Sequence, residues 1–174
     1  YLQKMNFLNN RILVRKYSGS LAKLNQVDEA IITLENYIKN LSITDRESSY
    51  ELLALYLENR DNDKASSLID NLISIDPSDD DFMFRVALLC FDKDYYDLSE
   101  KYFNILLSKS YAPDNINFFL GQIDYHKKQY NEALLHYDRI QQGTFVNTKL
   151  LNVAKALRDK YDITRAYSYL EQEV

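Results

Sequence analysis

Two histidines (His126 and His136), one cysteine (Cys90) and the run Asp79-Asp80-Asp81 are the side chains with the most reactive chemistry to offer. Imidazoles bind metals or move protons near neutral pH, thiolates are nucleophiles, and clustered carboxylates hold calcium. Spacing argues against each of these uses. Neither histidine has Asp or Glu around it in a metal-ligand pattern. Cys90 lies within the apolar run Val86-Ala-Leu-Leu-Cys-Phe91, where a thiol serves as a small buried hydrophobe. A single cysteine also excludes an internal disulfide and any multi-cysteine zinc site. The aspartates follow Pro77-Ser78 and open a helix, whose N-terminus favours negative charge without any ion. The glycines stand apart at Gly19, Gly121 and Gly143, so no phosphate-cradling loop is present, and no serine occupies a nucleophile elbow. The expectation is a non-enzyme with no metal and no cofactor. An enzymatic role would need a catalytic domain beyond Tyr1 or Val174.

Binding is the chemistry that remains, and it depends on the elements that present the residues. Of 174 residues 46% are hydrophobic, enough to bury a core, and three glycines with two prolines favour nearly continuous helix. No apolar run approaches the roughly 20 residues needed to span a bilayer. Tyr1 to Asn10 carry neither an initiating Met nor a basic leader with an apolar core, so the chain reads as a fragment of a longer protein or one whose leader is gone. Charge is unevenly placed: Arg46 to Pro113 hold seven basic and fourteen acidic residues, against 14 and 12 in the flanks. An acidic middle repels phosphate backbones, so nucleic acid is not an expected partner.

The chain repeats. Tyr130, Ala133 and Tyr137 match Tyr96, Ser99 and Phe103, and the frame recurs as Val27, Ala30, Leu34, as Asn62, Ala65, Ile69 and as Ile163, Ala166, Leu170. The small residues Ala30, Ala65, Ser99, Ala133 and Ala166 are separated by 35, 34, 34 and 33 positions. Twelve residues upstream of each stands a partner pair: Tyr17-Ser18, Leu52-Leu53, Val86-Ala87, Leu120-Gly121 and Val153-Ala154. A large residue followed by a small one lets two helices approach closely. Leu53 departs from this rule, so its hairpin is expected to splay. Polar joints such as Asn25-Gln26 and Lys127-Lys128-Gln129 separate the helices, and Pro77 and Pro113 punctuate the hairpins.

These residues resemble the tetratricopeptide repeat (TPR), most closely over Asp114 to Val146 and in register over roughly residues 11–174. The resemblance implies an all-α, right-handed α-solenoid of about five hairpins, with units near 11–45, 46–79, 80–113, 114–146 and 147–174. The first helix of each hairpin would line a concave groove. A narrower similarity, over Phe119-Leu-Gly-Gln-Ile-Asp, Asn131-Glu-Ala-Leu-Leu-His-Tyr and Ile140-Gln-Gln-Gly143, is to bacterial envelope TPR lipoproteins that scaffold a carboxyl-terminal processing protease. That similarity implies a periplasmic parent, its lipid-bearing cysteine outside this chain.

In the family frame two series fall on the groove side of the first helices: Tyr50, Phe84, Phe118 and Leu57, Phe91, Tyr125. Aromatic anchors with polar neighbours are common at protein-binding hot spots, although rings so spaced also pack between neighbouring hairpins. The candidate peptide-binding residues are Tyr50, Phe84, Phe91, Phe118, Gln122, Tyr125 and His126. The partner is a protein or extended peptide. The groove positions lack a Lys, Arg and Asn cluster, which argues against a chaperone adaptor that clamps a carboxylate. The alternative is an interior segment of a longer solenoid that self-associates through its ends. It draws on apolar Met5, Phe7, Leu8, Ile12 and Leu13 at one end and on the uncapped Tyr169-Leu170-Glu-Gln-Glu-Val174 at the other.

Overall fold

The computed structural model describes residues 10–41 and 45–173. Met5, Phe7, Leu8 and Val174 lie outside the described residues. Ten α-helices follow one another, with no strand among the described residues: α1 (Arg11–Lys23), α2 (Val27–Lys39), α3 (Arg46–Glu58), α4 (Asn62–Ile75), α5 (Asp80–Asp92), α6 (Tyr96–Ser108), α7 (Pro113–His126), α8 (Tyr130–Asp138), α9 (Val146–Lys160) and α10 (Ile163–Glu173). They group into two compact units divided between Asp79 and Asp80. The first holds hairpins α1–α2 and α3–α4. The second holds α5–α6, α7–α8 and α9–α10.

Helix starts follow from capping chemistry. Asn10, Asp45 and Asp61 each accept a hydrogen bond from the backbone N–H three residues on, and Pro113 opens α7 where its missing N–H costs nothing. Four of the five hairpin turns share one device. Asn25, Arg60, Asp94 and Lys128 adopt φ of 62°, 58°, 64° and 61°, the left-handed region. In each case the next N–H reaches back to a carbonyl five residues earlier: Gln26 to Leu21, Asp61 to Tyr56, Tyr95 to Cys90 and Gln129 to Asp124. This pattern ends a helix and reverses the chain within two residues. None of the four positions is a glycine, so each turn carries the left-handed strain that an L side chain brings. The fifth turn differs, for Tyr161 has φ −118°.

The periodic small residues are where the sequence placed them. Ala30, Ala65, Ser99 and Ala133 are fully buried, and Ala166 nearly so. Ser99 donates to the Ala87 carbonyl at 2.9 Å and Ser18 to that of Ala30 at 3.3 Å, so each hydroxyl ties the two helices of its hairpin together. Leu53 is fully buried as well, and α3 and α4 share a smaller interface than the helices of the other hairpins. That is the splay its bulk requires.

One departure was not foreseen. α8 has 9 residues, where α2, α4 and α6 have 13, 14 and 13. Its end is held from elsewhere. Lys149 of α9 donates to the carbonyls of Asp138 and Ile140, while the N–H groups of Gln141 and Gln142 donate to Asp114. These bonds satisfy terminal backbone groups that another helical turn would have used.

Candidate functional site

The proposed binding residues lie on α3, α5 and α7. Tyr50 is half-buried on α3, in the first unit; Leu57, in the second series, is fully buried. The others belong to the second unit, where all but Gln122 join a continuous system of rings. Phe84 packs edge-on against Phe103 of α6 at 5.7 Å and against Phe119 of α7 at 6.2 Å. Phe118 lies flat on Phe145, with centroids 3.9 Å apart. Phe91 meets Tyr96 at 5.9 Å and Phe119 at 5.3 Å. Phe84, Phe91 and Phe118 therefore pack ring against ring while remaining half-exposed.

Sequence reasoning missed the centre of this system. Phe119 touches Phe84, Phe91, Phe103, Phe118 and Phe145. One repeat earlier and two earlier its place holds Arg85 and Glu51, so no periodic signal marks it.

The end of α7 is more open. His126 is exposed and stacks on Tyr96 at 5.1 Å, with Tyr125 edge-on to it at 6.1 Å. Tyr125 also meets Tyr130 at 5.8 Å, and its hydroxyl donates to Asp159. This bond, then burial, raises the Tyr125 pKa and keeps the phenol a donor at neutral pH. Gln122 faces inward: its amide donates to the hydroxyl of the buried Tyr137 at 3.0 Å. It thus braces the hairpin. The outward cluster at this end comprises Phe91, Tyr96, Tyr125, His126 and Tyr130, planar rings well suited to hold an apolar or cationic side chain.

The reactive residues stay apart. Burial pushes the Cys90 thiol up to about 12, so it carries no thiolate at neutral pH. Asp79 pairs with Arg46, Asp80 with Lys109, and Asp81 accepts from Tyr111. The acidic run is therefore used for bonds within the protein. No group of three or more His, Cys, Asp or Glu that could hold a metal occurs among the described residues. No described helix is long and apolar enough to cross a membrane.

A concavity borders α8. A cleft of about 580 Å³ lies between α8, α9 and α10, lined by Leu134, Leu135, Val153, Leu157 and Tyr169 with Lys149 at its edge. Leu134 and Leu135 share the α8 wall, and Val153 and Leu157, four residues apart, share the α9 wall.

No protein-family model matches the chain, and no curated protein matches it in sequence. Solved structures do match in fold. The chain is similar to MamA residues 41 to the end from Desulfovibrio magneticus RS-1, with TM-score 0.62 and 14% identity over 92% of this chain and 90% of that one. It is also similar to MamA MSR-1, with TM-score 0.55 and 17% identity over 94% and 98% of the two chains. MamA AMB-1 gives TM-score 0.55 and 16% identity over 92% and 87%. At such identities the likeness is one of fold: the chain has the all-α architecture of consecutive helical hairpins found in TPR-like α-solenoid proteins.

Proposed function

We propose that this protein is a non-enzymatic scaffold that holds a protein or extended peptide on the first-helix faces of its hairpins. The observation that carries this reading is the ring cluster at the end of α7, where exposed His126 stacks on Tyr96 beside half-exposed Tyr125. Rigid aromatic side chains bring large contact area at small entropic cost, which is why they dominate binding hot spots. Within the second unit Phe84, Phe91 and Phe118 extend the surface, each half-exposed while packed against other rings; Tyr50 offers a half-buried ring on α3 of the first unit.

The test uses an outward residue. Phe84 and Phe118 are packed on other rings, so truncating them would disturb the fold together with any site. His126→Ala, at the exposed ring of the cluster, should leave helicity by circular dichroism unchanged and weaken capture of a partner from source extract about tenfold. Equal capture by wild type and the variant would move the binding surface elsewhere on the protein.

A second reading, self-association, has its own observation. Ile163 and Tyr167 of α10 occupy the repeat positions of Tyr130 and Leu134 on α8, yet remain 57% and 60% exposed. Two large apolar residues on one helix face form a surface suited to another helix. If this face joins copies, sedimentation will show a mass that rises with concentration, and Tyr167→Glu will return it to that of one chain. A constant single-chain mass for the unaltered protein removes this reading.

A further inference from the structure

The α7–α8 hairpin encloses an ionisable pair that the binding reading does not use. Asp124 of α7 is buried, and its carboxylate faces His136 of α8 with Oδ2 3.7 Å from Nε2. The other ring nitrogen, Nδ1, lies 2.9 Å from Oδ1 of Asn117. Asn117 and Asp124 are two helical turns apart on one face of α7, so the imidazole spans the gap between them.

The surroundings of Asn117 set the histidine tautomer. Its amide Nδ2 donates to the Pro113 carbonyl at 2.8 Å, which turns Oδ1 toward the ring. An amide oxygen only accepts, so Nδ1 must carry a proton. A neutral ring then points the Nε2 lone pair at the Asp124 carboxylate, and the two repel. One proton, on either partner, converts that repulsion into attraction.

We propose that Asp124 and His136 form a one-proton latch between α7 and α8, closed when the pair holds a proton and loosened when it loses it. The charged groups around it are Lys127 and Arg139, which cap the C-terminal ends of α7 and α8, with Glu132 on α8 and Glu100 on α6. Lys127 is engaged with Asp97 at 2.6 Å and Glu100 at 2.7 Å, so it does not replace the histidine as partner to Asp124. Burial, followed by Glu100 and Glu132, pushes Asp124 up to about 6 against the opposing effect of Lys127. Burial and then Arg139 pull His136 down, against Glu100.

The two shifts have opposite consequences for stability. Asp124, raised on folding, contributes stability that is complete below its unfolded value and lost as pH rises through about 6. His136, lowered on folding, contributes stability above its unfolded value that is lost as pH falls through its folded one. A shared proton lets the closed pair serve both residues across the interval. Because α7 also carries Phe118, Gln122, Tyr125 and His126, pH sets how firmly that helix is held.

Asp124→Asn tests the latch in the full chain, since an amide has no proton to lose and can donate to Nε2 of the neutral ring. Denaturant unfolding is measured for wild type and variant at pH 5 and pH 8. From pH 8 to pH 5 the unfolding constant of the variant should rise about tenfold relative to wild type, the change that follows from a carboxylate that titrates near 6 only in the folded state. In the wild type, NMR should show the Asp124 carboxyl carbon titrating near pH 6 and the Nδ1–H tautomer of His136 at pH 8. Parallel unfolding curves, an Asp124 carboxyl titrating in the ordinary range near 4, or an Nε2–H tautomer would each overturn the proposal.

Discussion

Replacing Phe103 with alanine is expected to destabilise the protein by about 3–5 kcal/mol, the range for a large aromatic removed from a packed core. Phe103 is completely buried. Its ring stacks on Phe119, with centroids 5.4 Å apart and planes 8° apart, and meets Phe84 edge-on at 5.7 Å. Removing it takes the buried α6 ring from between Phe84 of α5 and Phe119 of α7. The cavity would be lined by flat, stiff side chains, which collapse less readily than aliphatic ones. Repeat arrays gain stability from neighbour contacts, so the loss should be local first. Hydrogen exchange should therefore show protection falling in α5, α6 and α7 before the unfolding midpoint in urea is reached. A loss under about 1 kcal/mol would show that the neighbouring rings refill the space.

Why the repeat was legible while this ring system was not is a matter of what recurs. Ala30, Ala65, Ser99, Ala133 and Ala166 solve one steric problem five times, so their spacing reports the hairpin directly. The pairing of helices follows from that, as does the splay at Leu53. The reversals at Asn25, Arg60, Asp94 and Lys128 recur too, but no glycine announces them. Their left-handed backbone is imposed by the hairpin closing around it. Phe119 solves a problem specific to one place, and Arg85 and Glu51 in the matching positions conceal it. The shortening of α8 is equally local, since it depends on Lys149 and Asp114 reaching its end from other helices. Of the candidate site, the sequence marks aromatic positions at repeat spacing and leaves open which way the rings face. Facing is decided by packing partners such as Phe145 against Phe118, and these lie outside the periodic pattern. The frame puts Gln122 on a first helix, where it reads as a polar contact for a partner. Its bond to Tyr137 arises because that buried hydroxyl needs a partner.

Gly121→Ala should cost about 2 kcal/mol, although alanine is the better helix former by about 1 kcal/mol. The cause is a single close approach. A Cβ on Gly121 would stand 2.5 Å from Cε1 and 2.7 Å from Cδ1 of Tyr137, distances that real Cβ contacts essentially never show. Tyr137 is fully buried and its hydroxyl is tied to Gln122, so the ring has little freedom to retreat. The repeat frame shows the same trade in other sizes. Where the second helix carries Tyr137 the first carries Gly121; with Phe103 comes Ala87; and with the smaller Leu34 comes Ser18. The one glycine in this frame thus stands opposite the one tyrosine. This predicts a compensating pair. Tyr137→Leu alone should destabilise by about 2–4 kcal/mol through the space it leaves. Combined with Gly121→Ala, the new methyl group occupies part of that space and no longer meets a ring. The double variant should therefore be more stable than the sum of the single losses by about 1–2 kcal/mol, a coupling expected of residues in direct contact. Additive losses in a urea double-mutant cycle would mean that the helices relieve the clash by moving apart, and that Gly121 is not what sets the closeness of α7 to α8.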